Sequence, residues 1–192
     1  LKPEKSQGWE LGIEQSFAND AALLGLTYFD NTLENEIYTQ FTPTFISMPS
    51  NRTTESTQKG VELFAVANVG EAWRFDVSYT HLDAKENGIE EVRRPPDIAS
   101  LNVNWAVLAD RASLNLTVRY NGETYDNNFT GVGPMRVLLG DYTLVNLGAD
   151  YQINDRLNVY GRIENLLDEL YEEVYTYRTP GRAAYLGIRS SF

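Results

Sequence analysis

Apolar and polar residues alternate with a period of two along most of this chain, and no long 3.6-residue pattern competes with that alternation. Successive side chains of a strand point to opposite faces, so each alternating segment is a ribbon with two chemically different sides. In residues 156–164, Leu157, Val159, Gly161 and Ile163 share one face, while Arg156, Asn158, Tyr160, Arg162 and Glu164 share the other. In 111–125, Leu114, Leu116, Val118 and Tyr120 oppose Ser113, Asn115, Thr117, Arg119 and Asn121. In 72–84, Trp73, Phe75, Val77 and Tyr79 oppose Arg74, Asp76, Ser78 and Thr80. The pattern predicts nine strands, at 8–17, 21–40 (bent near Asp30-Asn31), 57–68, 72–84, 97–107, 111–125, 140–152, 156–166 and 182–192.

The connections alternate in length. Short turns fall at Ala18-Asn19-Asp20, Val69-Gly70-Glu71, Leu108-Ala109-Asp110 and Ile153-Asn154-Asp155, each rich in turn-forming Asn, Asp or Gly. Between them lie long polar loops with scattered aromatics, at 41–56, 85–96, 126–139 and 167–181. Tight turns at one end and extended loops at the other describe an antiparallel up-and-down sheet, the profile of an outer-membrane barrel. A soluble β-sandwich would also alternate, by burying its apolar face against a second sheet. Two features favour the membrane barrel. The strands have the length that a tilted span of the hydrocarbon needs. Their polar faces carry charges deep inside strands, at Arg74, Asp76, Arg119, Arg162, Glu164 and Arg189, as a wet lumen allows. Trp9, Trp73, Trp105, Tyr151 and Phe192 stand near strand ends, where interfacial girdles form.

Composition narrows the function. A net charge of −11 argues against a nucleic-acid partner, which would need a basic stripe. The absence of cysteine excludes disulfides and thiolate metal sites. The one histidine, His81, has no partners from which a metal site or a Ser/His/Asp triad could be argued, so neither a metal nor a catalytic residue is assigned and the chain does not read as an enzyme. No apolar run reaches the roughly 20 residues of a spanning helix. Leu1-Lys2-Pro3-Glu4 reads as the interior of a longer chain, and an odd strand count does not complete a bacterial barrel. The expected object is therefore the C-terminal fragment of an all-β transmembrane barrel, with residues 1–7 in an external loop and the remaining strands upstream.

Residues at both ends and in the middle resemble a known family. The stretch Ile163-Glu164-Asn165-Leu166-Leu167-Asp168-Glu169-Leu170-Tyr171, then Tyr177-Arg178-Thr179-Pro180-Gly181-Arg182 and a last strand ending in Phe192, is similar to the C-terminal signature of TonB-dependent outer-membrane receptors. Leu1-Lys2-Pro3-Glu4-Lys5-Ser6, Glu10-Leu11-Gly12, Lys59-Gly60-Val61-Glu62, Tyr79-Thr80-His81-Leu82-Asp83-Ala84 and Arg93-Arg94-Pro95-Pro96 match further landmarks in the family's order. The spacing is closest to the cobalamin and catecholate-siderophore receptors. The resemblance implies a barrel of about 22 strands filled by an N-terminal plug, residence in the Gram-negative outer membrane, and import of a scarce nutrient driven through TonB. The plug and the TonB-contacting box are expected outside residues 1–192. Phe192 would be read by the barrel-assembly machinery, although Ser190 stands where an aromatic is common. The competing reading is a passive, porin-like channel.

Within that frame, Tyr125, Phe129, Met135 and Arg136 in one long loop, and Tyr175, Tyr177 and Arg178 in another, are the candidate nutrient contacts. Aromatic rings offer stacking area and arginine attracts anionic groups. Arg74, Asp76, Arg119, Arg162, Glu164 and Arg189 are the candidates to face the lumen and its plug, pairing across the barrel wall or with the plug. The acidic run 168–173 reads as a solvated loop in preference to a Ca²⁺ site or a contact with ion-bridged lipopolysaccharide. Glu90-Glu91 beside Arg93-Arg94 reads as local ion pairing. The outer face would meet membrane lipid and lipopolysaccharide, and no cofactor is expected.

Overall fold

A computed structural model of the chain describes residues 1–44, 46–108, 111–131, 133 and 135–191. The described residues form sixteen strands: β1 (Lys5–Phe17), β2 (Ala22–Glu34), β3 (Ile37–Phe41), β4 (Ser47–Asn51), β5 (Ser56–Val69), β6 (Trp73–Glu86), β7 (Ile89–Glu90), β8 (Asp97–Val107), β9 (Ala112–Asn121), β10 (Thr124–Asn128), β11 (Met135–Leu139), β12 (Tyr142–Asn154), β13 (Leu157–Glu164), β14 (Glu172–Val174), β15 (Tyr177–Arg178) and β16 (Ala183–Ser190). Nine of them make one antiparallel sheet in chain order, β1-β2-β5-β6-β8-β9-β12-β13-β16, with the short β7 attached to β6. These are the nine segments the alternation predicts. The other six strands pair as three small hairpins inside the long connections.

Because partners in an antiparallel register point the same way, the alternation of each strand propagates across the sheet. Trp73, Trp105, Leu114, Ala149, Gly161 and Leu186 form one continuous row over six strands. The next residue of each strand on one side gives Arg74, Asn104, Asn115, Gly148, Arg162 and Tyr185, a polar row on the opposite face. The apolar face is uncovered: Leu11 is 71 % exposed, Ile13 67 %, Leu186 82 % and Ile188 69 %. Among the described residues no second sheet packs on it, which sets the sandwich reading aside. A single-layer wall buries little, and the buried side chains (Ser56, Ala84, Asn121, Thr124, Asp126, Leu139, Tyr142 and Asn165) lie at the long-loop end or in its loops.

Element boundaries differ from the sequence reading in three places. The predicted strand 21–40 is not bent near Asp30-Asn31 but stops at Glu34, because Asn35 takes φ 56, a left-handed conformation that ends a ribbon. Ile37–Phe41 then turns away to pair with Ser47–Asn51 as a separate hairpin. Strand β9 ends at Asn121, and Thr124–Asn128 belongs to the β10–β11 hairpin instead of extending the wall. Strand β1 begins at Lys5, so of residues 1–7, expected in a loop, only 1–4 lie outside the sheet and Lys5, Ser6 and Gln7 pair with β2. The short turns fall where expected; Ala18, Asn19 and Asp20 all carry positive φ, as does Gly70. Ala109, Asp110 and Phe192 lie outside the described residues, so the third predicted turn is seen only in part, and Phe192, expected to serve assembly, is not seen at all.

Candidate functional site

The long connections gather at one end of the sheet, and three of the four are tied to one another through a single carboxylate. Asp126 on β10 is fully buried. Its Oδ1 accepts from Arg93 Nε at 2.8 Å and from the Asn127 amide at 2.8 Å; its Oδ2 accepts from the Tyr175 amide at 2.8 Å and from Arg93 Nη2 at 3.3 Å. The Arg93 amide in turn donates to the Tyr125 carbonyl at 2.7 Å, which holds Arg93 at φ 58. One side chain thus joins the 87–96 loop, the β10–β11 hairpin and the 165–182 loop. Burial pushes the Asp126 carboxyl up, but the Tyr175 amide, the Arg93 guanidinium and the Asn127 amide together outweigh it and hold the group below the usual carboxylate range.

The 165–182 loop has its own organiser. Asn165, buried and at φ 49, donates from Nδ2 to the Glu169 carbonyl at 2.9 Å and accepts the Glu169 amide on Oδ1 at 2.8 Å. Three of its four acidic side chains are engaged within the loop or with the adjoining strand. Asp168 accepts the Arg182 amide at 2.8 Å, Glu172 accepts the Thr176 amide at 3.1 Å, and Glu173 accepts the Tyr142 hydroxyl at 3.0 Å. Among the described residues no cluster of three or more His, Asp or Glu is arranged to hold a metal ion. At the other flank, Arg52 reaches Glu86 at 2.7 Å and Glu36 at 3.1 Å, which ties the β3–β4 hairpin to the top of β6.

Six of the seven candidate contact residues fall into two separate groups, and Met135 belongs to neither. Phe129, Tyr175, Tyr177 and Arg178 line one groove of about 650 Å³, together with Arg93 and Glu173. Phe129 is 70 % and Tyr177 71 % exposed, so both rings are accessible from the groove. Tyr175 and Arg178 also border an adjoining depression against Leu138 and Tyr171. Tyr125 faces a different depression, beside His81 and Arg94, and the Arg136 guanidinium covers its ring at 3.9 Å. Met135 sits opposite Asn128 at the hairpin tip, exposed and outside these groups. Sequence reasoning missed Asp126. It is an ordinary acid in a polar loop, and its partners lie 33 and 49 positions away.

The six charged candidates of the strands all lie on the polar face, but their pairing is local. Arg74 chelates Asp76 two residues along, at 2.7 and 3.1 Å, and Arg162 reaches Glu164 at 2.8 Å, so these pairs form within a strand instead of across the wall. Arg162 and Arg189 also lie over the rings of Tyr185 and Tyr160, at 4.4 and 5.5 Å. Glu91 does pair locally with Arg94, at 3.5 Å, whereas Arg93 goes to Asp126. His81 lies on the opposite face near the long-loop end, with Nδ1 2.9 Å from Asp97, which also accepts the Tyr79 hydroxyl at 2.7 Å.

Comparisons with known proteins agree with this geometry. Residues 1–166 match the family described as TonB dependent receptor-like, beta-barrel. The vitamin B12 transporter BtuB of Photobacterium profundum is 32 % identical over an alignment covering 96 % of this chain and 30 % of that protein. The ferripyoverdine receptor of the Pseudomonas aeruginosa outer membrane superposes with a TM-score of 0.81 at 21 % identity, over 100 % of this chain and 28 % of the receptor. The ferric-catecholate import receptor Fiu from K12 E. coli gives 0.78 at 21 %, again over 100 % and 28 %. The chain therefore spans less than a third of the length of these relatives.

Proposed function

Since the chain belongs to the TonB-dependent receptor β-barrel family, we propose that it forms part of the wall and external mouth of an outer-membrane receptor that imports a scarce nutrient, a corrinoid or a ferric siderophore, with energy delivered through TonB. The observation that carries this reading is the Phe129–Tyr175–Tyr177–Arg178 groove at the long-loop end, held in shape by the buried Asp126. Exposed rings and a guanidinium suit a ligand that combines flat, polarizable surface with anionic groups. Arg178 forms no ion pair among the described residues, so its charge is available to such a ligand. A groove lined by aromatic rings and the Arg178 guanidinium favours a capturing receptor over a passive channel, whose mouth has no need of a specific recess.

In the complete receptor, the polar face would line the lumen against a plug domain carried elsewhere in the protein, and Arg74, Asp76, Arg119, Arg162, Glu164 and Arg189 would hydrogen-bond to that plug or to lumen water. The apolar face would meet lipid and, toward the outside, lipopolysaccharide. Phe192 would serve assembly into the membrane. The test is equilibrium binding of a panel (cyanocobalamin, a ferric catecholate, a ferric hydroxamate and an oligosaccharide) to the complete receptor in detergent. One of the first three classes should bind with submicromolar affinity, and the double variant Tyr177→Ala/Arg178→Ala should lose it. Binding of the oligosaccharide alone, or of none, would overturn the reading.

A further inference from the structure

The apolar face of the sheet carries a recess near its short-turn end. Trp73 and Trp105, stacked with ring centroids 4.7 Å apart and planes at 6°, stand along it beside Leu114. Leu147 borders it, and Ala149 and Gly161, neighbours in the register, leave its floor low. The recess measures about 570 Å³ and is lined almost wholly by carbon. The backbone does not demand glycine at position 161. A Cβ there would meet only the Tyr185 carbonyl oxygen at 3.4 Å and Leu186 Cδ1 at 3.6 Å, ordinary contacts. What the missing side chain provides is depth.

One step toward the short turns, Tyr151 lies on the same face, opposite Ala112 and Val159. The Arg111 guanidinium stands 5.8 Å from its ring centroid. Nη2 of Arg111 donates to the Ile153 carbonyl at 3.1 Å and to the Gln152 carbonyl at 3.4 Å. An exposed cation is thereby fixed at the rim of an apolar recess, in a chain whose net charge of −11 would repel anions elsewhere.

We propose that this recess and Arg111 bind one glycerophospholipid from the leaflet at the short-turn end, with an acyl chain laid along the two indoles and the phosphate on the guanidinium. Surrounding lipid is as apolar as the recess, so burial by itself gives the bound chain no advantage. Retention has to come from close packing on rigid rings and from charge-assisted hydrogen bonds between guanidinium and phosphate. The two parts lie on one face in the order a phospholipid requires, chain toward the membrane centre and headgroup at the rim. The inference rests on the apolar face meeting lipid, and is independent of which nutrient the receptor takes.

The experiment uses the complete receptor, purified in mild detergent, titrated with a phosphatidylethanolamine and read by native mass spectrometry. The wild type should retain one phospholipid. Arg111→Gln should weaken retention roughly tenfold, the scale of one lost charge-assisted hydrogen bond, and Gly161→Ile, which fills the floor, should do the same from the other end of the ligand. Val118→Ile, on the same face away from the recess, should retain the lipid. Arg111 lies in a turn, so its variant stays informative even if the glycine variant assembles poorly. An empty wild type, a lipopolysaccharide or a second receptor copy in place of the phospholipid, or unchanged retention in Arg111→Gln would each overturn the proposal. Nutrient uptake by the wild type is the separate readout of the receptor reading.

Discussion

Arg93 and Asp126, 33 positions apart, meet at 2.8 Å between Nε and Oδ1, and this contact fastens two of the long loops to each other. The Tyr175 amide on the second carboxylate oxygen adds a third loop. Asp126→Ala should therefore loosen the whole cluster and leave the wall intact. Charge-assisted hydrogen bonds contribute about 1.5–3 kcal/mol each; Arg93 is half-exposed, so the loss should fall toward the lower end of that range. Limited proteolysis should cut the 87–96 and 165–182 loops faster, while the folded barrel band in electrophoresis is unchanged.

The same carboxylate gives a pH dependence with a definite sign. Its folded value lies below the ordinary one, so its contribution is complete above the unfolded value of about 3.9 and is lost as pH falls through the folded value. Loop protection measured by hydrogen exchange should be flat from neutral pH to about 5 and decline in stronger acid. In Asp126→Asn that decline should be absent or much reduced.

Lipid contact can be tested from both faces of one strand. Val118 pairs with Leu101 and Val145 on the apolar face, and Asn115 lies on the polar face within hydrogen-bond reach of Asn104. Val118→Arg, or Val103→Arg on the neighbouring strand, should cost about 2–4 kcal/mol if placed near the bilayer midplane, whereas Asn115→Arg should be mild. Denaturant unfolding of the complete receptor in liposomes measures the difference, and equal losses on both faces would contradict the assignment of sides.

Among the candidate contacts the structure ranks the residues. Phe129→Ala, Tyr177→Ala and Arg178→Ala should each weaken ligand binding several-fold, because these side chains line the main groove and, among the described residues, nothing stacks over Phe129 or Tyr177. Tyr125→Ala should matter less to the ligand and more to the hairpin, since Arg136 already covers that ring. Titration calorimetry with the bound member of the ligand panel separates the two effects.

How much of this was legible in the sequence follows from the range of the forces involved. Alternation such as Trp73-Arg74-Phe75-Asp76-Val77 is a local signal, and it places nine strands and their two faces correctly, as the Trp73-to-Leu186 row shows. The turns at Ala18-Asn19-Asp20 and Gly70 follow from residues that tolerate positive φ. The end of β2 did not show, because strand-favouring residues resume at Ile37-Tyr38-Thr39 just past Asn35, in a hairpin that pairs with itself. Nor did the division of the contact residues, with Phe129 in one groove and Tyr125 in another, since that depends on how three loops fold over each other. Asp126 shows the limit most clearly. Its role comes entirely from distant partners, and its local sequence, Tyr125-Asp126-Asn127, looks like any polar loop.

Energy coupling separates a receptor from a channel most directly. Cells carrying the complete receptor as their sole route should accumulate the labelled nutrient identified by the binding panel against its gradient when TonB is present, and bind it at the surface without accumulating it when TonB is deleted. Equal entry in both strains, rising linearly with external concentration, would contradict the account.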